Sequence, residues 1–281
     1  MATKKATPKP IIPKTTAIVK WDEELARQAE VAAGMEANTG GGQFFSTKSG
    51  VLSWQDAPLP GNQMAVVILD SVLENVYYAG RYDPETPQGP VCFAFAREEK
   101  TMAPHSVVAE AGNQQCGASG LCAGCPMNEF GTAEVGKGKA CRNTRRLAMI
   151  PAGSFNNQTG KFELNEDPGH YASTGMGFMK LPVTSVKGYA SFVKQVAGAL
   201  KRPPFGIVTK VKIVPDPKSQ FKVVFEPIMS LPDELMDAVM ARHKEAYSTI
   251  DFPYAPFEEQ EATPPRSRAA QKPATKKARK Y

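Results

Sequence analysis

Four of the five cysteines, Cys116, Cys122, Cys125 and Cys141, fall inside one glycine-rich stretch of 26 residues with the spacing C-x5-C-x2-C-x15-C. Two thiolates two residues apart grip one metal ion, and a third and fourth across a short loop complete a tetrahedron. The segment therefore reads as a structural Zn2+ site. A closed four-thiolate site leaves no coordination position for a catalytic water, so the metal is expected to staple the fold rather than to react. Disulfides need an oxidising compartment, and the opening MATKKATPKPIIPKTT carries no apolar stretch of the secretory kind, so an intracellular protein is expected. Free structural cysteines scatter through apolar strands, as Cys92 does in PVCFAF. Pro126, directly after Cys125, keeps an iron–sulfur cluster open as the alternative.

The 281 residues suffice for one sizeable domain with insertions, and no apolar run reaches the length of a membrane span. The net charge of +6 is unevenly spread. Residues 1–20 hold five lysines and residues 266–281 hold seven Lys or Arg, neither with an acid, which leaves residues 21–265 at −6. Both ends are poor in large apolar groups and rich in Pro, Ala and Thr, so they are expected as disordered arms: basic at 1–20, acidic then basic at 256–281. Such arms attract polyanions without reading sequence, or serve simply as solubilising tails. Inside the body, KGKACRNTRR (137–146) holds five basic residues and no acid, residues 187–222 hold eight against Asp216 alone, and residues 226–261 hold nine acids against Arg242 and Lys244. One basic and one acidic side is the arrangement expected when one surface meets phosphate.

Along the body, a helix is expected over Trp21–Met35 and a hairpin in QFFSTKSGVLSW, turning at Ser49–Gly50. MAVVILDSVLENVYYAG and PVCFAFA read as strands flanking a Pro- and Gly-rich loop, and RRLAMIPAG fits either a short helix or a strand. Val186, Tyr189, Phe192, Val193, Val196 and Leu200 recur at helical spacing behind Thr184 or Ser185 as cap. PFGIVTKVKIVPDPKSQFKVVFEPIM reads as two strands joined by a Pro–Asp turn, with Lys210 and Lys212 alternating against apolar neighbours. SLPDELMDAVMARHKEAY should form the last helix, capped by Ser230. The class expected is mainly β with α insertions (α+β): an OB-like antiparallel barrel over 21–255, with flanking helices and a zinc-binding loop inserted at about 112–148.

Catalytic motifs are missing. Gly131-TAEV-Gly136-Lys137-Gly138 approaches a phosphate-binding loop, but Gly138 stands where a magnesium-holding Ser or Thr is required. His105, His170 and His243 belong to no paired metal motif; His105 could substitute for a cysteine ligand, and His243 reads as a solvated helix residue. No GxSxG elbow or paired carboxylates accompany the basic segments. Binding remains. A single nucleic-acid strand is held by Lys and Arg beside aromatic rings on which bases stack. Lys137, Lys139, Arg142, Arg145, Arg146, Lys210 and Lys212 are the basic candidates. Of the aromatic candidates Phe44, Phe45, Trp54, Tyr77, Tyr78, Tyr82 and Phe178, the stacking role falls first to Trp54, Tyr78 and Tyr82, which have polar neighbours.

The block CAGCPMNEFGTAEVGKGKACRNTRRL, followed by LPVTSVKGYASFVKQVAGAL and GIVTKVKIV, resembles single-stranded DNA-binding replication proteins of tailed bacteriophages over roughly residues 44–247. That resemblance implies an OB-like barrel with an inserted zinc loop that coats single-stranded DNA during replication or recombination, with other replication proteins as further partners and no membrane. It implies Cys116, Cys122, Cys125 and Cys141 as metal ligands and the basic residues of GKGKACRNTRR as strand-facing. Proteins with this task often finish in an acidic tip, whereas this chain finishes KKARKY and carries Glu258, Glu259 and Glu261 earlier. Two rivals stand beside this reading: a structural, genome-associated assembly protein that works through its basic arms, and a zinc-stapled accessory subunit of a replication enzyme.

Overall fold

The computed structural model describes residues 44–54, 57–80, 88–156 and 158–254, with Leu25 and Gln28. Those two are helical; the rest of the helix expected over Trp21–Met35, both charged ends and Tyr82 lie outside the described residues. Along the chain run β1 (Phe44–Ser46), β2 (Ser53–Trp54), β3 (Ala57–Pro58), β4 (Gln63–Tyr77), β5 (Cys92–Ala96) and a short helix α1 (Ser106–Glu110). After the cysteine segment come β6 (Arg142–Phe155), β7 (Phe162–Leu164), α2 (Pro168–Ser173), β8 (Gly177–Leu181), α3 (Val183–Leu200), β9 (Ile207–Asp216), β10 (Gln220–Ser230) and α4 (Asp233–Thr249). The fold is mixed α and β, built on one large, mostly antiparallel sheet of ten strands.

The long strands β4 and β6 form its spine. MAVVILD at the start of β4 is buried on both faces, so it reads as a near-continuous apolar run rather than an alternation. Strand β6 pairs with β4 on one side and β8 on the other, and β9 returns after α3 to the free side of β4, all antiparallel. With the side strands β5 and β7 set apart, the spatial order β9-β4-β6-β8 is that of a Greek key, three antiparallel neighbours in chain order and a fourth lying beside the first. Two register shifts, with Ala152 the extra residue in β6 and Leu69 the extra residue in β4, bend this spine. The bend lets β5 take over the C-terminal part of β4, as β7 does for β6.

The sheet is open: its strand path runs from β10 to β3, and no pairing among the described residues joins the two ends. The OB-like barrel expected from sequence is therefore not closed by hydrogen bonds. It curls instead. The turn of the β1–β2 hairpin comes back to β10, where a Cβ placed on Gly50 would stand 3.5 Å from Phe221. Asn62 fixes that return, accepting from Leu52 N at 2.5 Å and donating to Gly50 O at 2.8 Å. Inside the curl lies one core, with Leu52, Val66, Leu147, Met149, Met179 and Val211 under Tyr189, Phe192 and Val196 of α3. The opposite face buries Val67, Ala148, Ile150 and Val208 under Leu235 and Val239 of α4 and Tyr171 of α2.

The hairpin, α3, α4 and the β9–β10 turn fall where sequence places them, and RRLAMIPAG resolves to strand. Both caps differ. Pro182 and Pro232 precede α3 and α4 without a side-chain cap. Ser185 is buried and its Oγ accepts from Val223 N of β10 at 2.9 Å, while Ser230 ends β10. A rigid proline pre-sets the turn into a helix, leaving the serine for tertiary contact.

Candidate metal centre and nucleic-acid interface

The cysteine segment connects β5 and α1 to β6 and is built from three 3-10 turns, Gly117–Ser119, Cys122–Gly124 and Pro126–Asn128. One backbone bond ties it to the body, Cys122 N to Met102 O at 2.9 Å, and two close it on itself, Asn128 N to Cys125 O at 2.9 Å and Cys141 N to Met127 O at 2.7 Å. These turns bring Cys116, Cys122, Cys125 and Cys141 to one enclosed space of about 10 Å3, which Asn75 and Cys92 also line. That is room for a single water-sized sphere. All five cysteines are buried and none is in a disulfide.

Burial drives the thiol of Cys141 up to about 12, with the neighbouring Cys122 and Cys125 adding to the rise, and burial likewise raises Cys116, Cys122 and Cys92. Such thiols keep their protons at neutral pH. Among the described residues no set of three or more His, Cys, Asp or Glu side chains stands in a metal-holding arrangement. The donor chemistry nonetheless fits a thiophilic ion: four thiols and a fifth nearby around a small space lined by no carboxylate or imidazole. Converging on a metal would require them to deprotonate together. His105 is no part of this group. It caps α1 through Val107 N at 3.3 Å and packs 5.2 Å from the Phe93 ring.

Beside the thiols, Asn143 Nδ2 donates to Asn75 Oδ1 at 2.6 Å and Asn128 Oδ1 at 3.0 Å, and Lys139 Nζ donates to the same Asn128 oxygen at 3.2 Å. This amide ladder joins the segment to β4 and β6. Next to it opens a groove of about 320 Å3, whose lining includes Tyr78, Lys139 and Arg142 together with one acid, Glu134. The Arg142 guanidinium lies 5.7 Å from the Tyr78 ring centre. Lys139 Nζ lies 5.1 Å from the ring of Phe130, which is 81% exposed, and Lys137 is exposed on the same loop. Lys180 Nζ stands 5.6 Å from the centre of the same Tyr78 ring, and burial lowers its pKa against the pull of Glu74.

The remaining expected strand contacts separate from this groove. Arg146 is fully buried: it pairs with Glu74 at 2.9 Å, donates to Ile250 O at 3.0 Å and Phe252 O at 2.8 Å, and lies between the rings of Phe95 and Phe252. It does not face solvent, so its expected place on the strand-facing surface is withdrawn. Arg145 points to the opposite face, where it donates to Ser71 Oγ at 3.2 Å beside Tyr189 of α3. Lys210 and Lys212 pair with Ala65 and Gln63, at the far end of β4 from Tyr77, about 40 Å along the strand at roughly 3.3 Å per residue. Trp54 packs on Phe45 with ring centres 4.3 Å apart, and His243 is not solvated: its Nδ1 donates to Leu69 O, 2.8 Å away, and its ring stacks on Phe205.

Sequence reasoning passed over Cys92, Phe130 and Lys180, and the Asn75–Asn128–Asn143 ladder. The F-x8-K spacing of Phe130 and Lys139 within a glycine-rich loop was the one local signal for an exposed ring beside a cation. Comparison of the chain with family models, with curated proteins and with solved structures finds no match to any of them.

Proposed function

We propose that this chain is a non-catalytic, sequence-tolerant single-stranded DNA-binding protein of an OB-like kind, with Cys116, Cys122, Cys125 and Cys141 holding a structural zinc. The observation that carries the reading is the groove at the cysteine segment, where Tyr78, Lys139 and Arg142 share one wall and Phe130 projects beside it. Cations set beside one exposed ring, Phe130, and one half-buried ring, Tyr78, suit a flexible strand, whose bases are free to stack while its phosphates are neutralised. The strand order adds support, because loops between strands of an OB barrel bind oligonucleotides, and here the long connection from β4 to its neighbour β6, by way of β5, carries the cysteines.

In this reading Arg142, Lys139 and Lys137 take phosphates, and Tyr78 and Phe130 take base faces. The zinc supplies rigidity, holding the 3-10 turns so that these side chains converge before the strand arrives. Titration of labelled oligo-dT against a duplex of equal length tests the function: the single strand should bind at least tenfold more tightly, with affinity falling steeply as salt rises. Equal affinity for both would end the reading.

A further inference from the structure

A second cavity, of about 730 Å3, opens where β8 parts from β6 beyond the Met149–Gly177 pair and before β7 joins at Gly153. One wall is the Phe45–Trp54 ring pair and another is Phe155. Gly177 forms the floor under the rings: a Cβ there would run into Phe45 and come within 2.9 Å of Trp54. Gly153 is held just as tightly, because a Cβ would collide with the carbonyl of Glu163. Gln63, Ser154 and Thr174 bring neutral donors and acceptors, and among the described lining residues none is charged.

Such a lining rejects phosphate, whose charge would be stripped of water without a counter-ion. It favours a flat neutral ring with polar edges, held between aromatic faces. Cations stand outside. Lys212 pairs with Gln63 in the register of β4 and β9, and Lys210 Nζ lies 5.7 Å from the Phe155 ring centre and 3.4 Å from Glu226. We propose that the cavity takes one unstacked nucleobase of a single strand whose neighbouring phosphates lie on Lys210 and Lys212. The inference rests on the single-strand reading above, but it concerns a different end of β4 and is tested separately.

Trp21 and Trp54 are the two tryptophans, so the full chain carrying Trp21→Phe reports on the cavity alone. Titration with deoxyadenosine, a neutral nucleoside, should quench Trp54 saturably, and inorganic phosphate should not. Gly175 lines the cavity with open space around it and an ordinary φ, so Gly175→Leu intrudes on the site with little strain. It should weaken deoxyadenosine binding at least tenfold while the thermal midpoint holds; Ser154→Leu, at an exposed lining position, serves as a second block. In parallel, oligo-dT binding is followed by anisotropy on the same proteins, and Lys210→Gln with Lys212→Gln should lower strand affinity at least threefold without altering the nucleoside quench. Absence of a saturable quench, or a quench untouched by both blocks, overturns the cavity even if oligo-dT binds. Nucleoside binding lost on blocking, with no oligo-dT binding at all, keeps the nucleobase site and removes the single-strand reading.

Discussion

Arg142 and Arg146 stand four residues apart on the same face of β6, and their surroundings are opposite. Arg142 is exposed on the lip of a groove beside Tyr78. Arg146 is 0% exposed, with a carboxylate, two carbonyls and four aromatic rings gathered around it. The difference comes from residues 250–254, which cross the sheet after α4 and cover the second arginine but not the first. Tyr254 completes the cover: its hydroxyl donates to Glu74 and accepts from Lys180 Nζ at 3.0 Å, and burial together with the Glu74 charge raises its pKa. Two identical side chains in one basic run thus belong to different physics, one available to an anion and one bound as a structural ion.

The largest effect should come from the metal. Purified protein is expected to hold one zinc, and Cys122→Ser with Cys125→Ser should lower Tm by more than about 10 °C, since structural zinc carries a large share of local folding energy. Metal analysis and calorimetry check both, and unaltered stability would remove the staple. Because burial holds these thiols protonated above their usual range, zinc competes with protons and its affinity should fall as pH drops, a trend that competition with a chromogenic chelator would measure. Next comes the arginine pair. Arg146→Met strands Glu74 in a dry site and should cost about 3–5 kcal/mol in urea unfolding, whereas Arg142→Met should stay within about 0.5 kcal/mol.

Affinity should invert that ranking. Arg142→Met should reduce the slope of log K against log salt for oligo-dT by about 0.7, one phosphate contact on a single strand. The smallest effect is reserved for Phe130→Ala, which should weaken strand binding about fivefold, near 1 kcal/mol, and leave Tm unchanged because the ring is almost fully exposed. A Phe130→Ala protein that binds as wild type would narrow the site to the Tyr78 side.

What was legible in the sequence follows the range of the interactions. Periodicity located α3, α4 and the β9–β10 hairpin, because each is dictated by neighbours within a few residues. The cysteine spacing led to one shared space, yet Cys92 reads as an ordinary strand cysteine until β5 pairs with β4 and delivers it to the others. Arg146 is unreadable from KGKACRNTRR because what buries it lies more than a hundred residues away. Trp54 has polar sequence neighbours, but its ring is turned by the hairpin onto Phe45. The open path of the sheet is equally non-local: whether two ends of a curl hydrogen-bond depends on the accumulated twist of every strand between them.

The crossing of residues 250–254 over Arg146 also bears on how the chain is made. A nascent polypeptide that has emerged only as far as α4 holds the whole sheet but lacks the carbonyls of Ile250 and Phe252 that satisfy the guanidinium. A chain stopped there would bury a guanidinium short of two of its acceptors, so the stability of the whole sheet leans on the five residues that follow α4.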